Sequence, residues 1–562
     1  MYYGMKALFF IAFFFIFGAP TSSGQSVSVT GNAGVSSDYY DFSSSDSTLR
    51  PRRPEFNYRV SISPTISIGK KIKLPFTFLY TKKNPSAILP LSPDNFSLKS
   101  LSDPNNNIGF HPKFDWVTIH LGTHTADFST LTSGNIAIFG AGIDLTPKKF
   151  RLAYSDGFVT WAIRPDTMLN LEGTYRRRLQ AIKIGYGKSE RSGFFLNAVK
   201  TKDELGSLKN EPGLKTIPQE GIVFSTDFRI FFSKKVVFSG EIGASGFSKN
   251  QNDQEITDNP YTVLPTSLFT FRQSSRADLA GLAALKFNFK TWGVTLQSRY
   301  FGAGFVPAGY NFVETDLLEY TIEPRLQMFN NKLLLNGTLG LRKDNLSQTK
   351  IATTNRFIGN MSVVIIPSKQ FSIASNYSNY GMRNDIQNDT LRIEFISQNF
   401  SVTPMFKFKT SETEHTITLT YNAAVFEDKN LLTGVLGSNN VKTFSGNYSV
   451  GIGKLSFGLM AFRTQNKRLN YEQIINTASF RVGLAILKKA LNISTSVVYS
   501  SVAQTAQSVD SRLLFRPQVR WKLPKQTSIN LTGSFQAYQY GSVRNNASYK
   551  ETLLQVAVNK GF

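Results

Sequence analysis

The chain alternates apolar and polar residues with a period of two over most of its length. Leu285, Phe287 and Phe289, for example, alternate with lysine and asparagine, and the same pattern runs through 222–232 and 333–342. Because neighbouring side chains of a strand point to opposite faces, this pattern predicts strands with one apolar and one polar face. The stretches are long enough for the ~9–11 tilted residues with which a barrel strand crosses a bilayer.

Short turns that contain lysine separate pairs of these stretches and recur about every 41 residues. They lie at 69–71, 111–113, 147–149, 188–192, 233–235, 290–291, 330–332, 367–369, 409–414, 453–454, 488–489 and 524–525. A β-propeller blade has a similar length but contains four short strands, so two long strands per repeat favour a barrel hairpin. The turn lysines have two interpretations: a rim that binds a partner or anions, or simple pairing with lipid phosphates.

Counting the turns gives the size of the barrel. Twelve turns connect twenty-four strands, and a strand at each end, near 27–40 and 549–562, makes twenty-six. The range is 22–26 because the alternation is poor in 95–110. The sequence therefore predicts an all-β fold, a single antiparallel up-and-down transmembrane β-barrel over residues 25–562, with the even strand number of single-chain bacterial barrels.

The connections on the other side are longer and rich in acidic residues. They lie at Ser37–Thr48, Lys202–Glu220, Asn250–Asp258 and Arg383–Asp389. Long extracellular loops opposite short periplasmic turns are typical of outer-membrane barrels.

Residues 1–24 have the pattern of a cleaved secretory signal. Lys6 precedes the apolar run Ala7–Phe17, and small residues lead up to Gly24. The run is shorter than the ~20 residues that a membrane helix needs. We therefore expect an integral barrel of the outer membrane, in contact with outer-membrane lipid and lipopolysaccharide. Strand-like sequence begins soon after residue 24, so neither a plug nor a periplasmic domain is expected.

The composition and the candidate reactive residues exclude several classes of function. The chain has no cysteine, which excludes disulfides and thiolate metal sites. Its net charge of +25 would favour nucleic acid as a partner, but export makes that partner unexpected. His120 and His124 share a strand face, yet four residues of strand span ~13 Å, so no metal or other cofactor is expected. His124 and Asp127 lie in one polar stretch, 123–134, too ordinary to predict an enzyme.

Part of the sequence resembles a known group of proteins. Three stretches, FNYRVSISPTISIGKKIKLPFTF (56–78), NNIGFHPKFDWVTIHLG (106–122) and FGAGIDLTPKKFRLAYSDGF (139–158), resemble the opening of large, mostly uncharacterised outer-membrane barrels of Bacteroidetes. The end of the chain resembles the signal that the barrel-insertion machinery reads. Phe562 is terminal, Val558 and Val556 precede it at alternate positions, and Lys560 departs from the pattern. The resemblance implies a porin-like fold and location, and no catalytic residues.

The alternation also predicts basic residues that face the lumen. They are Arg229, Lys286, Arg299, Arg325, Arg342, Lys407, Arg512, Arg516 and Arg520. Charge is costly on a lipid-facing position and tolerated inside a barrel. Two interpretations remain open and are compatible: a basic lumen that favours anions, or arginines that pair with acids on neighbouring strands.

These features predict a porin-like channel for the passive passage of small solutes, anions among them. The alternative is a barrel subunit of a surface-export or outer-membrane assembly complex that has a partner protein and no channel activity of its own. An enzyme is not expected, and would require turnover that depends on His124 or Asp127.

Overall fold

A computed structural model describes most of the chain. The described residues are 27–84, 106–125, 128–165, 172–187, 191–208, 215–256, 268–308, 314–386, 392–411, 413–430, 432–469, 471–504, 509–541 and 547–562. The predicted signal at 1–24 lies outside them, as does most of the weakly alternating 95–110 region. No helix within them is long and apolar enough to cross a membrane.

Strands, most of them long, make up most of the described chain. They are β1 (Val27–Ser44), β2 (Phe56–Ile68), β3 (Ile72–Asn84), β4 (Asn107–Phe110), β5 (Lys113–Phe114), β6 (Val117–Thr125), β7 (Ala137–Leu145), β8 (Phe150–Thr160), β9 (Arg177–Gly187), β10 (Gly193–Asp203), β11 (Glu220–Phe231), β12 (Val236–Ser248), β13 (Ser275–Asn288), β14 (Trp292–Phe301), β15 (Leu317–Met328), β16 (Leu333–Asp344), β17 (Thr354–Ile365), β18 (Phe371–Asn384), β19 (Glu394–Thr410), β20 (Thr413–Asp428), β21 (Asn439–Ile452), β22 (Leu455–Arg468), β23 (Tyr471–Ile486), β24 (Leu491–Gln504), β25 (Asp510–Leu523), β26 (Thr527–Gln539) and β27 (Ser548–Gly561). One-turn helices lie at Leu205–Leu208 and Gly434–Gly437.

The strands form one closed antiparallel sheet. Sequence neighbours pair throughout, and β27 pairs with β1 from Asn32 opposite Gly561 to Ser44 opposite Tyr549. The short β4 and β5 both lie between β3 and β6, so they share one strand position. The sheet therefore has 26 positions, and the prediction of a 26-stranded up-and-down barrel is confirmed. Closure leaves no exposed sheet edge, which a lipid environment requires.

The end of the chain completes the closure. The backbone N–H of Gly31 donates to the carbonyl of Phe562, and the N–H of Phe562 donates to the carbonyl of Gly31, at 2.8 and 3.0 Å. Leu554, Val556 and Val558 on the same strand are exposed on the outer face. The last strand therefore presents apolar side chains to lipid as far as Phe562, with the exception of Lys560.

One predicted turn is wrong. Residues 111–113 do not form a turn; Lys113 pairs with Lys73 and Thr118, and the turn lies at Asp115 and Trp116. Pro112 has no backbone N–H to donate, so it interrupts the strand there without reversing its direction. The turn count survives because the true turn is two residues further on.

One predicted loop is also largely wrong. Of Ser37–Thr48, the residues up to Ser44 belong to β1, where Asp38 pairs with Asn57 and with Gln555. The polar composition suggested a loop because lumen-facing strand positions are polar too. Composition alone does not separate a wet barrel wall from a surface loop.

The two faces of the wall differ in the expected way. Ile242, Leu279 and Tyr320 are among the many large apolar side chains exposed on the outside. In a closed barrel these side chains form the apolar band that contacts lipid tails. The protein is therefore an integral β-barrel of the outer membrane.

Candidate functional site in the barrel lumen

The strand registers assign every wall residue to a face. Directly paired residues of an antiparallel sheet point to the same side. The exposed apolar residues mark the outside, so the alternate residues face the lumen. One lumen-facing row of pairs runs Asp227–Glu241–Leu282–Arg299–Glu319–Arg342. By the same registers all nine basic residues of the predicted row face the lumen.

Arg299 and Arg342 of the predicted row pair with acids. Arg299 Nη1 lies 3.5 Å from Glu319 Oε1, and Arg342 Nε lies 3.2 Å from Glu319 Oε2. Arg342 also reaches Glu314 at 2.5 Å, as does Arg356 at 3.1 Å. Their charge is therefore largely compensated.

Six of the other seven basic residues, all but Arg229, are held less firmly. Arg325, Arg512 and Arg520 donate to neutral groups, the side-chain oxygens of Asn288, Gln536 and Asn530 at 2.6, 2.9 and 3.1 Å. Arg229 pairs across the sheet with Gly193 and Ser239. The side chains of Lys286, Lys407 and Arg516 make no hydrogen bond or ion pair to another described residue. The predicted row therefore contains some arginines that are paired with acids and other basic residues that are not.

A loop segment folds into the lumen against one part of the wall. Phe128–Ile136, here the inserted segment, connects β6 to β7. The backbone N–H groups of Thr130 and Leu131 each donate to the carboxylate of Glu241 at 3.1 Å. Hydrogen bonds to a charged group typically contribute about 1.5–3 kcal/mol, so Glu241 holds the segment in place.

Apolar packing fixes the inserted segment as well. Leu131 is completely buried among Val223, Ala280, Phe301 and Phe305. Phe128 is buried in a second cluster with Ile138, Ala153, Leu179, Ala181 and Val199. A Cβ added to the lumen-facing Gly243 would lie 3.3 Å from Leu131. Because Gly243 has no side chain, Leu131 packs directly against the backbone of β12.

A buried lysine joins the inserted segment to the wall. Lys183 Nζ donates to the carbonyl of Phe128 at 2.5 Å and lies 3.3 Å from Asp227 Oδ1. Asn197 donates to the same carboxylate at 2.7 Å. Every charge in this contact has a partner, as burial requires.

The segment 302–308, from the connection between β14 and β15, packs beside the inserted segment. Phe305 is completely buried, and the N–H of Val306 donates to Ser245 Oγ at 2.9 Å. The N–H of Gly304 donates to Asp278 Oδ2 at 2.9 Å. We call the wall from β6 to β16, with its two covering segments, the packed sector.

The wall from β19 to β26, here the open sector, is different. Apart from glycines, only Thr477 and Leu514 of its described strand residues are buried. No ion pair joins two described residues of these strands. Lys407, Arg481, Arg516 and Arg520 are exposed although they lie on the inner face. This part of the lumen is lined by water-accessible positive charge.

Three of these residues lie on one line of paired residues. The line runs Lys407–Thr416–Ser449–Gly458–Arg481–Ser496–Arg516. Strands lie ~4.8 Å apart, so Arg481 and Arg516 are separated by about 10 Å of wall occupied only by Ser496. Because barrel strands are tilted, such a line winds along the barrel axis. We call Lys407, Arg481 and Arg516 the basic row.

Acidic residues of the open sector lie at strand ends. Asp428 and Asp510 lie at the loop ends of β20 and β25, and Glu414 lies beside a tight turn. Asp510 accepts hydrogen bonds from the Tyr538 hydroxyl and the Gly541 N–H, at 2.9 and 2.7 Å. The basic row therefore has no acidic neighbour within its own line.

Sequence reasoning missed two functional positions. Arg481 was not in the predicted row, although Phe480 and Val482 flank it and the alternation places it inside. The role of Glu241 in holding a loop has no sequence signal, because its partners are backbone groups about 110 residues away.

Outside the strands, one acid holds two arginines. Glu314 lies in the connection before β15 and contacts Arg342 and Arg356. Burial raises its pKa, but the hydrogen bond from Arg356 and the charge of Arg342 lower it more. The net pKa of Glu314 is below its usual value.

The loop after β1 is fixed at the seam of the barrel. Arg52 donates to Glu551 on β27 at 2.6 and 3.0 Å, and the Tyr40 hydroxyl donates to the same carboxylate at 2.7 Å. The hydrogen bond to Glu551 raises the pKa of Arg52 above its usual value. The seam is therefore closed by side chains as well as by the β1–β27 ladder.

The histidines lie closer together than a regular strand would place them. The rings of His120 and His124 stack with centroids 5.0 Å apart, and His111 lies 5.3 Å from His120. Gly122, at φ +85°, breaks the regular strand between them. The ~13 Å spacing that we used to separate these side chains therefore does not apply.

A serine contacts this histidine cluster. His124 Nδ1 donates to the carbonyl of Gly122 at 3.0 Å, so Nε2 accepts from Ser155 Oγ at 3.2 Å. Both side chains are buried, 5% and 3% exposed, so a substrate has little access to them. Asp127, the other residue of the enzyme alternative, lies outside the described residues.

No family model and no curated protein matches the chain. OpdK of Pseudomonas aeruginosa, solved with vanillate, matches with 10% identity and a TM-score of 0.31, over 69% of this chain and 99% of that one. OccAB4 of Acinetobacter baumannii matches with 11% identity and a TM-score of 0.29, over 66% and 97%. The translocation pore of the P pilus usher PapC matches with 9% identity and a TM-score of 0.37, over 95% and 99%. Likeness this low supports no statement about function, and the resemblance to Bacteroidetes barrels stays a prediction.

Proposed function

We propose that the protein is a porin-like channel that passes small solutes passively and favours anions. The observation that carries this proposal is the basic row, Lys407, Arg481 and Arg516. These residues face the lumen, are exposed and have no acid on their own line of the wall.

The charge balance supports a preference that is modest in size. In water two unit charges 4 Å apart attract by about 1 kcal/mol, so exposed lumen charges favour anions only a few-fold. The charged residues of the packed sector add little to this preference, because most have partners of the opposite sign. A solute is therefore expected to move along the open sector, where positive side chains recur at steps of about 10–20 Å along one line of the wall.

Planar-bilayer recording tests the proposal. Purified protein is inserted between chambers that hold unequal concentrations of potassium chloride, and the reversal potential is measured. We expect a stable conductance. We also expect the reversal potential to lie toward the equilibrium potential of chloride. A reversal potential set by potassium contradicts the anion preference, and protein that inserts and carries no current contradicts the channel.

The alternative, a barrel subunit of an export or assembly complex, makes a different prediction. Such a subunit would keep a stoichiometric partner through extraction in mild detergent and would show no conductance when purified. We expect neither result.

A further inference from the structure

Three of the four histidines of the chain meet on the lumen side of the wall. His111 lies between β4 and β5, and His120 and His124 lie on β6. His120 pairs with Gly142 and His124 with Ile138, both lumen-facing residues of β7. The fourth histidine, His415, is on the outer face of β20 and contacts the Tyr448 hydroxyl at 2.8 Å.

The break in the strand brings His111 and His120 opposite each other. Gly109 pairs with Gly122 and Lys113 with Thr118, so His111 and His120 are the facing residues between these two pairs. Side chains that face each other across antiparallel strands have Cβ atoms about 4.5–5.5 Å apart. This distance lets two imidazoles reach a common point.

The donor atoms have the separation that one metal ion requires. His111 Nδ1 and His120 Nδ1 are 3.4 Å apart. Two nitrogens, each ~2.0–2.1 Å from a tetrahedral ion, are ~3.4 Å apart. An imidazole–imidazole hydrogen bond would give a similar distance, so the environment of each ring decides between the two interpretations.

The environment of His111 favours a ligand role. The backbone of Thr123 is positioned to accept a hydrogen bond from the His111 ring. Histidines that bind metals usually donate their second ring N–H to such a group, which fixes the ring and leaves the other nitrogen free to bind. His111 and His120 are also only half-buried, so an ion in the lumen can reach them.

His124 supports the pair without completing a three-histidine site. Its two ring nitrogens are already hydrogen-bonded, to the Gly122 carbonyl and to the Ser155 hydroxyl, and its ring stacks on that of His120. No group of three or more metal-binding side chains among the described residues is arranged to hold an ion. The remaining coordination positions would therefore belong to water from the lumen.

We propose that His111 and His120 form a two-histidine site for one divalent transition-metal ion on the lumen wall, with His124 packed against the second ligand. Imidazole nitrogen suits zinc, nickel and copper, whereas calcium and magnesium prefer oxygen ligands. The site does not depend on the proposed channel, because it needs only that the lumen is wet.

Metal titration of the untagged, folded protein in detergent tests the proposal, with zinc or nickel as the only added ligand. We expect one ion per chain. His111→Ala and His120→Ala should each weaken binding by at least about 10-fold, because changes to the partners of ligands already cost 10–100-fold. His415→Ala is the matched control and should leave binding unchanged. Binding of wild-type affinity in His111→Ala or in His120→Ala overturns the proposal. The absence of binding by the wild type also overturns it.

Copper supplies a measurement that needs no variant. The electron paramagnetic resonance spectrum of the wild-type protein with one equivalent of copper(II) should show hyperfine splitting from two nitrogen nuclei. A spectrum typical of oxygen ligands alone contradicts the site, even if the histidine variants fail to fold.

Discussion

The packed and open sectors are built from the same kind of strand but differ on their inner faces. In the packed sector, Glu241 and Lys183 hold a loop against the wall, and Leu131 packs into an apolar cluster of the wall. In the open sector nearly all of the described inner side chains are exposed or half-buried. The comparison shows that alternation determines which face is polar, whereas the partners of that face determine whether it is packed or wet.

The difference has a consequence for charge. Arginine in the packed sector stabilises the fold through carboxylates such as Glu319. In the open sector, the side chains of Arg481 and Arg516 make no hydrogen bond or ion pair to a described residue, so they can act on ions in the lumen. Four predictions test this division, and they follow in order of expected effect.

Truncating Leu131 should cause the largest loss of stability. Leu131→Ala removes a completely buried side chain from the contact between the inserted segment and the wall. Such changes usually lower the free energy of unfolding by about 2–5 kcal/mol. Denaturant unfolding in micelles measures the loss. Leu432→Ala, at a loop leucine that is 67% exposed, is the control and should be nearly neutral.

Removing the charge of Glu241 should have an intermediate effect. Glu241→Gln weakens the acceptor of two backbone N–H groups, and we expect a loss of about 1–3 kcal/mol together with noisier single-channel current. Glu323→Gln is the control, because Glu323 also faces the lumen and makes no hydrogen bond or ion pair to a described residue. An equal loss of stability in the two variants would show that Glu241 has no special role in holding the segment.

Acid should release the contact of Glu314 with its two arginines. The pKa of Glu314 is lower in the folded protein than in the unfolded chain. Its contribution to stability is therefore complete above the unfolded pKa of about 4.3 and is lost as the pH falls through the lower, folded pKa. Melting temperatures measured down this pH range should fall less steeply in Glu314→Gln than in the wild type. Parallel curves would show that the contact contributes nothing.

Neutralising a residue of the basic row should change stability least. Arg516→Gln removes no hydrogen bond to a described residue, and surface changes of this kind usually stay within about 0.5 kcal/mol. Thermal unfolding of the folded barrel measures the change. A loss well above that value would mean that Arg516 is structural, and the open sector would then resemble the packed one.

Much of the fold was predictable from sequence because barrel strands alternate over ten or more residues. The lysine-containing turns separate the hairpins along the chain. The predicted number of strands is correct even though the turn near Pro112 was misplaced. The failures share a cause. Ser37–Ser44 is polar because it lines a wet lumen, and polar residues in a strand look the same as polar residues in a loop.

The candidate site was only partly predictable for a related reason. Alternation places a side chain inside the barrel but does not show what lies opposite it. Arg342 and Arg516 have similar sequence surroundings, yet one has two acidic partners and the other has none among the described residues. The histidine cluster depends on Gly122 and Pro112, which break the regular strand spacing that sequence reasoning assumes.

The most direct test of the account compares two charge removals in the same recording. The open-sector variant carries Lys407→Gln, Arg481→Gln and Arg516→Gln. The control carries Lys454→Gln, Lys488→Gln and Lys525→Gln, which remove the same charge from the tight turns between strands. We predict that the reversal potential of the first variant moves toward zero, while that of the second stays at the wild-type value. An equal shift in both, or a shift only in the turn variant, would contradict the claim that the open sector selects the ions.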